Sequence, residues 1–171
     1  MVVTRFACDV MLGRLARYLR MAGYQTDYLK QAEDDELIKQ AAKTRAVLLT
    51  RDRALYKKTR DHAKAFLVNS NDVHEQLNAV ASALQLHRLS IKTRFCTACG
   101  QKLKRAPKKS VAHRVFQRVL ERQRLFWECT ACGKLYWPGT HIQQINQTLK
   151  RLTRHVKNTH DVDPRRHPRR H

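Results

Sequence analysis

Four of the five cysteines form two pairs with the spacing of a zinc knuckle. Cys96 and Cys99 make one Cys-x-x-Cys pair, Cys129 and Cys132 make the other, and a glycine directly follows each pair. Four thiolates at this spacing suit tetrahedral Zn²⁺, and an ion with four protein ligands has no position open for water. The segment between the pairs, 100–128, is long for this pattern, but a ribbon tolerates an insert at its tip because loop entropy grows slowly with length. The sequence therefore predicts a structural zinc ion.

Two other interpretations of the cysteines are weaker. Redox-active pairs would need a surrounding βαβ unit, which the sequence around them does not predict. A rival ligand set of Cys129, Cys132, His155 and His160 leaves too long a segment between its second and third ligands for a common zinc finger. Cys8 is interpreted as a buried thiol on a strand. So few and so clustered cysteines indicate a reducing, cytoplasmic setting rather than a secreted disulfide framework.

Carboxylates form the second candidate group. Five of them stand just after predicted strands or at the starts of predicted helices: Asp9, Asp34, Asp35, Asp52 and Asp72. Open parallel sheets bind ligands beyond the carboxyl ends of their strands, so these acids are expected to converge there. Clustered carboxylates repel one another, and hard cations such as Mg²⁺ or Mn²⁺ relieve that repulsion. A metal held in this way lowers the pKa of a bound water and stabilises a phosphodiester transition state.

Each acid also has a simpler interpretation. Asp34, Asp35, Asp52 and Asp72 are residues that commonly begin helices, where a carboxylate accepts backbone hydrogen bonds. Asp9 lies at the end of a strand beside apolar residues and has no obvious need to cap a helix. The metal-site hypothesis therefore depends most on Asp9.

The elements that position these acids follow from hydrophobic periodicity. Strands are predicted over 2–8, 24–29, 46–50 and 65–68, and helices over 11–22, 34–43, from 52 onward and over 72–86. The first helix carries an apolar stripe with helical spacing, made of Leu12, Leu15, Ala16, Leu19 and Ala22. Alternating strands and helices predict the α/β class, with a parallel sheet flanked by helices on both faces.

Charge divides the chain. The formal net charge is +21, of which residues 91–171 carry +16 and residues 1–90 carry +5. We expect an α/β domain over 1–90, a zinc ribbon with a basic insert over 91–150, and a basic helix end with a disordered tail over 151–171. A surplus this large indicates a polyanionic partner, RNA in particular. No apolar run approaches the roughly 20 residues of a membrane span, and no signal peptide begins the chain, so a cytoplasmic protein is expected.

The basic insert, residues 101–127, holds nine Lys and Arg and one acid. We expect phosphate contacts from four of them, Lys104, Arg105, Lys108 and Lys109. Arg14, Arg17 and Arg20 lie on the polar side of the first helix, either as a solvated face or as a substrate clamp near the acids. Three aromatic residues either stack on bases or pack the ribbon against the first domain: Trp127, Tyr136 and Trp137.

Several motifs, taken in order, resemble one family. They are F-A-C-D-V-M-L-G-R-L-A-R-Y-L-R-M-A-G-Y over 6–24, D-D-E-L over 34–37, L-L-T-R-D over 48–52, C-T-A-C-G over 96–100, and F-W-E-C-T-A-C-G-K-L-Y-W-P-G-T-H over 126–141. Together they resemble the Mut-seven C-terminal RNase family over roughly residues 4–150. The resemblance implies a PIN-like nuclease domain followed by a zinc ribbon, with acids that coordinate Mg²⁺ or Mn²⁺ for RNA cleavage.

The positions of the motifs indicate which residues of this chain correspond to the acids of the family. Asp9 matches the first acid, Asp52 matches the acid of the T-R-D motif, and either Asp34 or Asp35 matches the second. Asp72 is the candidate for the fourth acid, although Asn69 or Asn71 could take that place. The chain departs from the family at 115–117, where Val-Phe-Gln replaces a proline-containing stretch.

Two functions from different classes follow. The first is a metal-dependent ribonuclease whose zinc ribbon helps to bind RNA. The second is a non-catalytic RNA-binding protein, associated for example with ribosomes or tRNA. A toxin of a toxin–antitoxin pair would share the nuclease chemistry, but the long zinc module argues against it.

Overall fold

Four parallel strands form the central sheet of the computed structural model, which describes residues 5–29, 31–86 and 89–156. The strands are β1 (Arg5–Cys8), β2 (Gln25–Tyr28), β3 (Val47–Thr50) and β4 (Ala65–Leu67). Their order is β2-β1-β3-β4, and each neighbouring pair is parallel. Each strand lies within its predicted range, and the α/β class is confirmed.

Four helices connect and follow the strands. They are α1 (Gly13–Met21), α2 (Asp34–Thr44), α3 (Arg53–Arg60) and α4 (Val73–Ala83). The first predicted helix begins later than expected, because Val10–Leu12 forms a separate 3₁₀ turn. The backbone N–H of Met11 donates to Asp9 Oδ1 at 3.4 Å, so the aspartate caps this turn. The turn separates the end of β1 from the start of α1.

Helices cover both faces of the sheet, as the alternating pattern predicts. Phe6 and Cys8 of β1 face one apolar cluster, which α1 and α4 also line. Ala7 faces a second cluster lined by α2 and α3. Because successive strand residues point to opposite faces, a strand between the two layers is covered on both sides, and all four residues of β3 are accordingly buried. Cys8 is fully buried, as expected for a strand thiol, and burial raises its pKa.

An antiparallel ribbon follows the sheet. Its strands are β5 (Leu103–Ala106), β6 (Phe126–Cys129) and β7 (Leu135–Tyr136), in the order β5-β6-β7. The insert between β5 and β6 contains two short helices, α5 (Lys108–Val111) and α6 (Gln117–Arg122). A small third cluster joins the insert to the ribbon through Ala106, Val111, Leu120 and Phe126.

The last helix, α7 (Thr140–Val156), returns to the first core. Leu149 is fully buried in the same cluster as Leu77 of α4. The side-chain Oδ1 of Asn146 accepts the backbone N–H of Ile91 at 2.9 Å, which ties α7 to the segment that leads into the ribbon. The chain after the ribbon therefore helps to complete the α/β core. The predicted basic tail, residues 161–171, lies outside the described residues.

Replacing Leu149 by Ala should lower the free energy of unfolding by about 2–5 kcal/mol, because it leaves a cavity in the first core. The exposed neighbour Gln147→Ala serves as the control and should change it by less than about 0.5 kcal/mol. Urea unfolding followed by circular dichroism measures both values. Equal stabilities for the two variants would show that α7 does not belong to this core.

Candidate functional site

The four paired cysteines meet at one point. Cys96 Sγ lies 3.5 Å from Cys132 Sγ, and Cys99 Sγ lies 3.4 Å from Cys129 Sγ. All four sulfurs lie within 4.8 Å of one another. Tetrahedral zinc with Zn–S bonds of about 2.3 Å separates its sulfurs by roughly 3.8 Å, so this cluster could hold zinc. In the rival ligand set, His160 lies outside the described residues.

The protonation of these thiols also suits a cation. Burial raises the pKa of Cys96, but hydrogen bonds from the Tyr136 hydroxyl and from the backbone N–H groups of Cys99 and Ala98 outweigh it and lower that pKa to about 6. Burial and the neighbouring sulfurs raise the pKa of Cys99 to about 12. Four sulfurs this close cannot all carry negative charge in the absence of a positive partner. A divalent ion supplies that charge and displaces the protons.

Each knuckle turns at its glycine. Gly100 and Gly133 have positive φ angles of 82° and 71°, a conformation that glycine adopts without steric cost. Gly100 also packs tightly, since a Cβ there would lie 2.9 Å from the backbone oxygen of Thr26. A side chain at residue 100 would therefore push the first knuckle away from β2.

The aromatic candidates of the ribbon have structural contacts. The Tyr136 hydroxyl lies 3.0 Å from Cys96 Sγ, and it accepts the backbone N–H of Thr97 at 3.2 Å. Burial raises the pKa of Tyr136 to about 12, so the phenol stays protonated. The Trp137 ring packs against the Phe126 ring, with centroids 6.3 Å apart. For Tyr136 and Trp137 these contacts favour packing over base stacking.

A buried arginine joins the first knuckle to the α/β domain. Arg20 is 4% exposed, and its guanidinium donates to the carbonyl oxygens of Thr26 at 2.9 Å, Thr97 at 3.2 Å and Ala98 at 2.9 Å. Both interpretations of Arg20 from the sequence, a solvated face or a substrate clamp, are therefore wrong. Helical periodicity placed it on the polar side of α1, and no local signal showed that the knuckle covers it.

A second arginine holds the other knuckle. Arg114, in the insert, donates to the carboxylate of Glu128 on β6 and to the carbonyl oxygen of Gly133. Arg20 and Arg114 thus each bind backbone carbonyls of one knuckle. The charge of Arg20 lies near the sulfurs of Cys96 and Cys99, where it offsets the negative charge of a four-thiolate site.

At the carboxyl end of the sheet, one hydroxyl connects two of the predicted acids. Asp9 is 6% exposed, and its backbone N–H donates to the Leu49 carbonyl at 3.0 Å. Thr50 Oγ1 donates to Asp9 Oδ2 at 2.8 Å and accepts the backbone N–H of Asp52 at 2.9 Å. The adjacency follows from the parallel pairing of β1 with β3. Thr50 was not among the sequence candidates, although it is the polar residue that ends a buried strand.

Asp52 and Asp72 cap helices. Asp52 Oδ1 accepts the backbone N–H groups of Ala54 at 2.6 Å and Leu55 at 3.1 Å. Asp72 Oδ1 accepts the backbone N–H groups of His74 and Glu75 in the first turn of α4, and these bonds lower the pKa of Asp72. Capping alone accounts for Asp72, whereas Asp52 both caps α3 and adjoins the Thr50 hydroxyl.

Asp34 and Asp35 lie exposed in the first turn of α2. Asp35 forms an ion pair with Lys58 of α3 at 2.6 Å, and this pair lowers the pKa of Asp35. Lys58 lies in the last turn of α3, whereas Asp52 caps the first. The ion pair therefore holds Asp35 along the flank of α3.

Among the described residues, the four cysteines are the one group of three or more possible ligands within 4.8 Å. The carboxylates do not form such a group. Asp9 and Asp52 still offer the oxygen donors that Mg²⁺ and Mn²⁺ prefer, and Mg²⁺ is commonly held by one or two carboxylates with water in its other positions. The donor chemistry at this edge therefore fits an ion that keeps several waters.

The predicted phosphate-binding residues are all exposed. They comprise two arginines on α1, two residues of β5 and two lysines of α5: Arg14, Arg17, Lys104, Arg105, Lys108 and Lys109. Arg14 is close enough to Asp72 to contribute to the lowering of the pKa of that carboxyl. Val10 and Met11, directly after Asp9, are exposed apolar residues at the same edge.

A four-stranded parallel sheet flanked by helices, followed by a four-Cys ribbon, defines a PIN-like α/β protein with a zinc-ribbon-like site. The family description Mut7-C RNAse domain matches residues 4–149, and the chain belongs to this family. Neither the curated proteins nor the solved structures that were compared with it include a match. Within the described part of the chain, no helix is both long and apolar enough to cross a membrane.

Metal analysis of the purified protein should find one zinc ion per chain, bound by the four cysteines. Removal with a chelator should unfold the ribbon, because the third cluster is too small to stabilise it alone. Limited proteolysis should then cut within 101–127 while the α/β core stays protected. A zinc-free protein whose insert resists protease would contradict this prediction.

Arg20→Lys should lower the free energy of unfolding by about 1.5–3 kcal/mol, since the guanidinium reaches Thr26 and the knuckle carbonyls through two different nitrogens, whereas lysine has all its donors on one. Zinc release to a colorimetric chelator should also be faster. The matched control is Arg17→Lys, an exposed position on the same helix, which should stay within about 0.5 kcal/mol of wild type. Unchanged stability and zinc release in Arg20→Lys would show that the guanidinium does not hold the knuckle.

Proposed function

We propose that this protein is a metal-dependent ribonuclease that hydrolyses phosphodiester bonds at the carboxyl edge of its parallel sheet. The observation that carries the proposal is the Thr50 hydroxyl, which binds the buried carboxylate of Asp9 and the backbone of Asp52. Membership of an RNase domain family supports the substrate class.

Asp9 and Asp52 would hold the catalytic Mg²⁺ or Mn²⁺. When bound, the ion would supply a water of lowered pKa and stabilise negative charge on the phosphate. The hydroxyl of Thr50 keeps the Asp9 carboxylate oriented, so Thr50 is a positioning residue. Of the two candidates for the second acid, Asp34 is favoured, because the ion pair with Lys58 occupies Asp35.

Basic side chains would bind the RNA substrate. Arg14 and Arg17 are exposed on α1, which begins one short turn after Asp9, so they are placed to contact phosphates near the acids. Zinc in the four-cysteine site would have a structural role, holding the ribbon and its basic insert beside the sheet. We propose a domain division near residue 90, whereas the expected boundary at residue 150 falls inside α7, a helix that packs back onto the first core.

A second candidate is an RNA-binding protein without catalytic activity. The observation in its favour is that, in the part of the chain that the structure describes, the carboxylates form no group of three or more within 4.8 Å. RNA binding by the basic insert would be the same in either case.

Incubation of total RNA with zinc-loaded protein and Mn²⁺ distinguishes the two candidates. Wild type should cleave RNA, and Asp9→Asn should reduce cleavage by at least roughly 100-fold, more than the loss of an outer-shell contact alone. The matched control is Asp61→Asn, an exposed aspartate after α3 at the opposite edge of the sheet, which should cleave normally. Cleavage by neither wild type nor variant, with tight RNA binding by both, would favour the second candidate. Equal cleavage by wild type and Asp9→Asn would contradict the proposed site.

A further inference from the structure

An aromatic ring projects from the basic insert into solvent. Phe116 is 76% exposed. Of the described residues, Val10, Met11 and Phe116 are the large apolar side chains that stand exposed, and Phe116 is the aromatic one. Other aromatic rings of the ribbon, such as Phe126 and Trp137, contribute to the third apolar cluster. The position of Phe116 therefore needs a separate explanation.

Local backbone geometry turns this ring outward. Helical spacing would put Phe116 on the same face as Val119 and Leu120, which pack into the third cluster. The helix, however, begins only at Gln117, and Phe116 has an extended backbone with φ −64° and ψ 145°. Its carbonyl oxygen accepts the N–H groups of Val119 at 2.8 Å and Leu120 at 3.2 Å, so its backbone caps the start of the helix while its side chain is exposed. The third apolar cluster does not include this ring.

A positive charge lies against the ring. The guanidinium of Arg118 is over it, 5.7 Å from the ring centroid. Elsewhere in the same insert, Lys108 and Lys109 are exposed on α5, and Arg122 is exposed at the end of α6. An exposed ring with a cation over it, in an insert rich in exposed basic residues, matches a ligand that presents a flat base together with phosphates.

We propose that Phe116 and Arg118 form a stacking platform for an unpaired base of single-stranded RNA, while the lysines of α5 contact the flanking phosphates. The inference rests on the RNA binding of the proposed function and specifies the form of RNA that the insert selects. A base within a duplex has both faces covered by its neighbours, so only an unpaired base can lie on the ring. Stacking is tolerant of sequence, because every base has a π-face.

The alternative to RNA is a protein partner that covers the exposed ring of Phe116. The charge around the ring favours the polyanion, since the insert carries nine Lys and Arg and one acid. If a protein covers the ring instead, removal of the ring leaves RNA affinity unchanged, which makes this alternative one outcome of the test below.

The test measures binding of fluorescent oligo(A), oligo(U) and a duplex of the same length. Every protein is full-length, zinc-loaded and carries Asp9→Asn so that the RNA stays intact. Phe116→Leu keeps an apolar side chain but loses the ring, and it should weaken binding of both single strands by about 5- to 150-fold, the range for one base–aromatic stack. Duplex binding and the salt dependence should not change, because no charge is removed. Phe116→Trp should bind like the parent.

Two further variants calibrate the result. Tyr56→Leu removes the ring of the other arginine–aromatic pair, in which Arg60 lies 5.8 Å from the Tyr56 centroid near the opposite edge of the sheet, and it should have no effect. Replacing Lys104, Arg105, Lys108 and Lys109 together by Ala should weaken single strands and duplex alike. It should also flatten the log–log salt slope by up to about 3, for four phosphate contacts on a single strand.

The outcomes separate this inference from the proposed function. If the parent protein binds none of the RNAs, the proposed RNA binding fails, and the platform fails with it. If the parent binds RNA and Phe116→Leu binds equally well, the platform is wrong while the proposed function stands. Equal weakening of single strands and duplex by Phe116→Leu would show that the ring supports the fold of the insert, which also overturns the inference.

Discussion

The guanidinium of Arg20 is the contact on which the joint arrangement of sheet and ribbon depends. A buried charge is stable only where acceptors surround it, and here they come from both parts of the molecule. One carbonyl belongs to β2 and two belong to the first cysteine knuckle. Burial lowers the pKa of Arg20, while the nearby thiols of Cys8, Cys99 and Cys96 raise it. Cysteine thiolates in the knuckle would therefore favour the charged arginine, and the arginine in turn holds the backbone of the knuckle.

Charge is separated along the chain in a way that suits a polyanionic substrate. At the sheet edge the neutral hydroxyl of Thr50 links the carboxylate of Asp9 to the backbone N–H of Asp52. The basic residues of the insert lie exposed on β5, α5 and α6. Arg114 is an exception, because it pairs with Glu128 and binds the second knuckle. The positive charge of the insert thus lies in a different part of the chain from the acids of the sheet edge.

Much of the fold followed from local pattern. The four strands lie within their predicted ranges, and β3 is the short apolar run buried between two layers of helices, whereas β2 is mostly polar and has one buried residue. The two Cys-x-x-Cys pairs meet because each knuckle is a local turn around a glycine, and the prediction that all four sulfurs form one cluster is confirmed. The Asp9 and Asp52 positions also came from the sequence, whereas their link through Thr50 depends on the pairing of β1 with β3. Metal binding by these acids stays a prediction.

By itself, the sequence determined the properties that depend on neighbours within a few residues: the helical stripe of α1, the cysteine knuckles, and the concentration of positive charge after residue 90. The tertiary structure decided which polar residues become buried and which apolar residues become exposed. Arg20 is buried because carbonyls 77 and 78 residues further along the chain cover it. Phe116 is exposed because the helix after it starts one residue too late to include its side chain. Periodicity indicates only the face of its own helix on which a residue lies. Packing between distant parts of the chain decides which segment covers that face.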